Sequence, residues 1–257
     1  MANAHLVNLE TERARRNPEC APLPFTRRIM GIAKSCAEAP ALAIIIGGTG
    51  CGKTYALQRA ALDIPSLALI TINPAVGGQS RGLYHIREEL ACHLIYQNYL
   101  QFRRGYSQVA YFPMREIEDT LKHAWQAGCP VLVLDEAQHA KRGLLDCCRA
   151  LYDSGHCSLI LAGNDEFDLS GLAPLVSRAT FEINAATADA ADVDGFLDHR
   201  RIVQPKARAL LHQVATLRGI RGVDEVLRRA GAGGTADVPG LTHIQAAVRS
   251  MRFLAGS

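Results

Sequence analysis

The sequence predicts an α/β fold: a parallel five-stranded sheet flanked by helices, followed by a smaller part built of helices alone. Three observations carry this. Short apolar runs alternate with helical stretches, and each run is nearly continuous, as in strands buried on both faces. A glycine-rich loop, "GGTGCGKT" (47–54), lies between the first such run and a helix. From about residue 187 the strand signals stop and helical spacing takes over. A chain of 257 residues is long enough for one α/β domain with a smaller appendage.

Residues 1–24 are polar, carry Arg13, Arg15 and Arg16, and read as a basic arm. "FTRRIMGIAKSCAEA" (25–39) places Phe25, Ile29, Ile32 and Ala33 on one helical face. After Pro40, "ALAIII" is the first buried strand, and a helix begins at Lys53 beyond the loop. "SLALITI" (66–72) is a second strand, followed by the turn-rich "NPAVGGQS" and helices over about 81–103 and 116–127. "VLVLDE" (131–136) is a third strand, "LLDCCRALYDSG" (144–155) a helix, and "SLILAGN" (158–164) a fourth strand. "TFEI" (180–183) supplies a short fifth. The helical part then runs through "DVDGFLDHR", "PKARALLHQVATLRG", "VDEVLRRA" and "LTHIQAAVRSM". Thr242 and Gln245 have capping-box spacing in the last of these, and "GAGG" (231–234) reads as a hinge or loop. The expected domains are thus 1–24, an α/β domain over 25–186, and a helical lid over 187–257.

Composition is ordinary for a globular protein, with 48% hydrophobic and 21% charged residues. A formal charge of +3 permits a polyanionic partner without demanding one. The eight cysteines form no C-x-x-C pair and no zinc-ligand spacing, so they read as buried reduced thiols. The N-terminal residues lack the apolar core of a signal peptide, and no run is long enough to span a bilayer. A soluble, intracellular protein without membrane association is expected.

The chemistry concentrates in a few residues. Gly47–Thr54 fits G-x-x-x-x-G-K-[ST] in the required strand–loop–helix setting. Gly47, Gly48, Thr49, Gly50, Cys51 and Gly52 offer backbone N–H groups to phosphate oxygens, in conformations that side chains would obstruct. Lys53 reaches the β- and γ-phosphates, and Thr54 offers its hydroxyl to Mg²⁺. Cys51 is a tolerated small residue whose side chain points away from the phosphates, beside a helix N-terminus that favours its thiolate. Asp135 ends an apolar strand, where a carboxylate holds Mg²⁺, and Glu136 is placed to polarise an attacking water. That acid pair favours ATP hydrolysis over phosphoryl transfer to a metabolite. Asn164 closes the fourth strand, either to orient the water and sense the γ-phosphate or simply as a turn residue.

The ordered set "GGTGCGKT", "VLVLDEAQ", "LILAGN", "LVSRATFEI" and "GIRGVDEVLRRA" resembles an AAA+ ATPase of the ASCE class. Closer still, it resembles the transposition regulators, namely the B protein of Mu-like phages and the TnsC and TniB ATPases. ExeA-type secretion ATPases share much of the pattern. The resemblance spans roughly 25–232. It implies Walker A roles for Lys53 and Thr54, Walker B roles for Asp135 and Glu136, and sensor 1 for Asn164. Arg178 then matches an arginine finger acting in trans, and Arg221 the sensor 2 arginine of the lid, although both residues also suit an ordinary surface.

The resemblance further implies sequence-nonspecific binding of duplex DNA, self-assembly into a helical or ring oligomer, and a transposase partner. The location would be the cytoplasm of a bacterial cell or phage-infected host. Gln79, Arg81, Arg103 and Arg104 match segments that meet DNA in such filaments, and they are equally compatible with solvated loop tips. The 24 residues before the pattern are too few for the helix-turn-helix domain that Mu-like B proteins can carry. DNA contact is therefore expected from the ATPase body or the arm. The expected function is an ATPase that assembles on DNA with ATP bound, presents target DNA to a transposase, and disassembles on hydrolysis. The rival readings are an ExeA-like transport ATPase, which would be expected to continue into a membrane segment and a peptidoglycan-binding domain, a replication initiator or helicase loader, and a nucleotide-dependent signalling switch that never touches DNA.

Overall fold

The computed structural model describes residues 23–72, 119–120, 123, 129–185, 189–232 and 238–251. The elements are, in order, α1 (Pro24–Glu38), β1 (Leu42–Gly47), α2 (Lys53–Asp63), β2 (Leu67–Thr71), β3 (Val131–Asp135), α3 (Arg142–Asp153), β4 (Ser158–Gly163), α4 (Ala173–Val176), β5 (Phe181–Ala185), α5 (Ala190–His199), α6 (Pro205–Ala232) and α7 (Leu241–Ser250). Short 3-10 turns at Ala137–His139 and Ser170–Leu172 follow β3 and precede α4. The helix expected over 81–103 lies outside the described residues. Of that expected over 116–127, Asp119, Thr120 and His123 are described and helical.

The strands form one parallel five-stranded sheet in the order β2-β3-β4-β1-β5. Its register aligns Leu42 with Leu159 and Ile44 with Leu161 across β1 and β4, and Leu134 with Leu161 across β3 and β4. β1, β3 and β4 are buried at every position, because helices cover both faces. Leu42, Ile44, Leu132, Leu134, Leu159 and Leu161 share one face, packed with Leu144, Leu145, Cys148 and Leu151 of α3. Each such leucine or isoleucine taken from water contributes about 1.5–3 kcal/mol. On α1 the buried positions Phe25, Ile29, Ala33 and Cys36 recur at helical spacing, as the pattern predicts.

The chain divides into two compact units. One holds Arg28–Ile46 and Lys53–Asn184, and therefore the sheet and its helices. The other groups Gly47–Gly52 and Ala185–Ser257 with the segment ending at Arg27. The second unit has its own core, in which Val193, Phe196 and Leu197 of α5 meet Leu211, Val214, Val223 and Val226 of α6 and Ile244 and Val248 of α7. Asp189 caps α5 by accepting the Asp192 N–H at 2.8 Å.

The segments 205–219 and 223–230 are two helices, as expected, joined within the span Pro205–Ala232 at a break at Gly219, whose φ of 63° and ψ of −170° leave the helix. Two expectations for the helical part need correction. Gly231 lies within that span, and 233–237 fall outside the described residues. The capping box does not form: α7 starts at Leu241 with Gly240 as its N-cap, and no side chain caps it. Burying Ile244, Ala247 and Val248 sets the helix register, and that register places Thr242 and Gln245 on the exposed side.

Candidate functional site

Glycine permits the loop after β1 to take its shape. Gly50 and Gly52 have φ of 84° and 99°, left-handed values that a side chain disfavours. The Cys51 N–H donates to the Gly48 carbonyl at 3.4 Å within this turn, and Cys51 itself is buried rather than presented to solvent. Lys53 is the first residue of α2 and is also buried, so the loop runs directly into a helix N-terminus, a favourable place for phosphate.

Within the second unit the loop meets the break in α6. A Cβ on Gly219 would stand 3.1 Å from the carbonyl oxygens of Thr49 and Gly50, and one on Gly50 would stand 3.1 Å from Cβ of Arg221. Both glycines are thus favoured by positive φ, and the close backbone approach adds a tight contact against any side chain. A cavity of about 800 Å³ lies there, lined in part by Thr49, Arg218, Arg221, Arg228 and Arg229. The sequence-predicted Arg221 therefore does stand beside the loop.

Asp135, Glu136 and Asn164 come together at the carboxyl ends of β3 and β4, where ligands bind in open α/β sheets. Asp135 is completely buried. Its Oδ1 accepts the Glu136 N–H at 3.0 Å, whereas its Oδ2 is buried with no hydrogen-bond partner among the described residues. Burial pushes the Asp135 carboxyl above its ordinary value. The Thr54 hydroxyl does most to oppose this, the Glu136 charge adds to the rise, and Lys53 also pulls down. An orphaned carboxylate oxygen flanked by a hydroxyl is a fitting donor set for a hard divalent cation.

Glu136 adopts a left-handed backbone, φ 57° and ψ 40°, which costs a non-glycine residue on the order of 1 kcal/mol. Its Oε2 accepts from Nε2 of Gln138 at 2.5 Å, and Oε1 of Gln138 accepts the Asn164 N–H at 3.3 Å. The sequence pattern assigns Gln138 no role; its signal there is a polar residue two positions after the acid, inside "DEAQ".

Asn164 is placed at the site, but its side chain closes a turn. Oδ1 accepts the Glu166 N–H at 3.0 Å, the geometry of an Asx-turn. The turn is tightened by Phe167, whose ring would be 2.8 Å from a Cβ on Gly163. Arg178 lies in the turn after α4, half exposed, with Nη1 donating to both oxygens of Asp153 at 2.9 and 3.0 Å. Gln79, Arg81, Arg103 and Arg104 lie outside the described residues.

A phosphate-type loop after β1, an acid pair after β3, and β4 inserted between those two strands define a P-loop nucleoside triphosphatase. The AAA domain family matches residues 37–169, just over half of the chain, and the chain belongs to that family. It is accordingly a nucleotide-binding AAA+ ATPase. Its fold is similar to that of Cdc6p from Pyrobaculum aerophilum, with a TM-score of 0.57 and 14% identity over 91% of this chain and 68% of that one. No curated protein sequence matches the chain. Among the described residues no helix is long and apolar enough to cross a membrane.

Proposed function

We propose that this chain is a Mg²⁺-dependent ATPase that oligomerises on duplex DNA and presents target DNA to a transposase, with hydrolysis driving disassembly. The hydrolytic half of this reading rests on the buried Asp135, whose Oδ2 has no partner beside Thr54 and Lys53. Thr54 and Asp135 would hold Mg²⁺, which supplies charge neutralisation at the phosphates. Lys53 and the N–H groups of the loop would bind the β- and γ-phosphates and orient them for in-line attack. The Glu136 carboxylate would take the proton of the attacking water. Asn164 would need to leave its turn with Glu166 to contact that water.

The assembly half rests on the resemblance carried by "VLVLDEAQ", "LILAGN", "LVSRATFEI" and "GIRGVDEVLRRA". Arg178 of one subunit would complete the site of its neighbour, exchanging Asp153 for the γ-phosphate, and Arg221 would act as sensor 2. ATP then works as glue and its hydrolysis as release. Gln79, Arg81, Arg103 and Arg104 would contact DNA phosphates. The fold likeness to Cdc6p, a matter of architecture at that identity, keeps an initiator or loader role as the alternative.

Electron microscopy and DNA-binding titrations separate the two. With ATP or a non-hydrolysable analogue, cooperative polymers on random-sequence duplex are expected, with salt-sensitive binding. Discrete rings that form only on particular sequences would favour the initiator reading. ATPase turnover indifferent to DNA, with no polymers, would reject both.

A further inference from the structure

Gln138 lies in the 3-10 turn that follows β3, a turn anchored by Ala137, which is fully buried in the sheet core. Its carboxamide bridges two elements. Nε2 donates to the Glu136 carboxylate at 2.5 Å, and Oε1 accepts the backbone N–H of Asn164, the residue just beyond β4, at 3.3 Å. The partners fix which way the amide faces. A backbone N–H can only donate and an ionised carboxylate can only accept, so the reversed orientation would oppose like groups at both ends. No other side chain type of this length offers one donor and one acceptor in that geometry.

The bridge matters because Glu136 and Asn164 are otherwise poorly tied to each other. Glu136 sits on a left-handed backbone and carries a long, rotatable side chain. The Asn164 side chain is already engaged with Glu166 in its turn. The described link from the acid to the end of β4 therefore runs through Gln138 and the Asn164 backbone. β4 is the strand flanked by β1, which leads into the phosphate loop, and by β3, which carries the acid.

We propose that Gln138 is a positioning residue for ATP hydrolysis: its amide fixes one oxygen of Glu136 against the end of β4, leaving the other oxygen to meet water. The proposal rests on the reading of Glu136 as the water-polarising acid. Misplacing a reacting group by about 1 Å costs on the order of 100-fold in rate. Loss of the amide that holds Glu136, with the backbone of the turn intact, should cost somewhat less.

Two variants test this. Gln138→Met keeps length and volume but neither donates nor accepts. Gln138→Glu keeps shape but sets a second carboxylate against Glu136. Single-turnover hydrolysis of pre-bound ATP is expected to fall about 10- to 30-fold in the first and at least as far in the second. Binding of a fluorescent ATP analogue with Mg²⁺ should stay within about two-fold in both, and the midpoint of thermal unfolding within about 2 °C. In a Glu136→Gln background, adding Gln138→Met should change the residual rate less than about two-fold, because the two residues act as one unit. Loss of hydrolysis in Glu136→Gln with full activity in both Gln138 variants would overturn the bridge alone. A Gln138→Met loss that persists undiminished in the Glu136→Gln background would overturn it too. Unimpaired hydrolysis by Glu136→Gln itself would instead remove the reading on which the bridge depends.

Discussion

The two ends of the same sheet are built on opposite principles. At the amino ends of the strands, Ser158 is a fully satisfied node. Its hydroxyl donates to the Cys36 carbonyl at 2.6 Å, with the Ala39 carbonyl at 3.1 Å, and accepts the Ala41 N–H at 3.0 Å. The Cys129 thiol lies 3.2 Å away, and the Cys129 N–H donates to the Ala37 carbonyl at 3.2 Å. The Cys36 and Ala37 carbonyls in the last turn of α1, which a helix leaves without partners of its own, are thereby satisfied. Burial pushes the Cys36 and Cys157 thiols up to about 12, so this end is chemically quiet. At the carboxyl ends lie a left-handed Glu136, a carboxylate oxygen of Asp135 without a partner, and Gly163 pressed against Phe167. A strained backbone at Glu136 and an orphaned oxygen of Asp135 thus lie where the chemistry is proposed, whereas Ser158 at the opposite end has every hydrogen bond its hydroxyl can make.

That contrast is broken most easily at Glu136. Glu136→Gln should lower ATP hydrolysis by about 100-fold or more while ATP binding persists, since general-base catalysis contributes on that scale. Its thermal midpoint should not fall, because an amide suits a strained surface turn as well as a carboxylate does. A variant that loses nucleotide binding together with hydrolysis would mean that Glu136 holds the phosphates instead.

Ser158→Ala is the reciprocal experiment at the quiet end. It strands the Ala41 N–H and removes the donor shared by the Cys36 and Ala39 carbonyls, all in a buried setting. A loss of about 2 kcal/mol in unfolding free energy is expected, read by denaturant titration. Hydrolysis per folded molecule should remain unchanged at low temperature. A turnover defect without a stability defect would contradict the division of labour between the two ends.

The same division explains what the sequence could and could not reveal. Strands read as apolar runs because both faces are covered, and β1, β3 and β4 are buried at every position as that pattern requires. The loop is legible because its glycines answer a local backbone demand. The fifth strand, expected at 180–183, forms at Phe181–Ala185, a shift at its ends only. Contacts set by register are another matter. Gln138 and Asn164 are 26 residues apart, and Ser158 is 117 residues from Ala41. They meet only because parallel pairing aligns β3 with β4 and β4 with β1. The capping box failed for a related reason, since burial of Ile244 and its neighbours outweighed a local polar pattern.

The smallest expected effect is the most direct probe of unsatisfied polarity. Asp135→Asn removes a buried charge whose Oδ2 has no partner, and should raise stability of the nucleotide-free protein by about 1 kcal/mol near neutral pH. The sign follows from proton linkage. A carboxyl whose value is raised on folding binds more protons in the folded state, so stability falls as pH rises from its ordinary value through the raised one. Above that window the unsubstituted chain carries the full penalty and the asparagine variant carries none. The two stability curves should therefore converge at acid pH and separate toward neutrality. Added Mg²⁺ and ATP should reverse the order, stabilising the unsubstituted chain far more than Asp135→Asn. If the variant is the less stable one without nucleotide, Asp135 is a structural acid, and the carboxyl end of the sheet is built like the amino end after all.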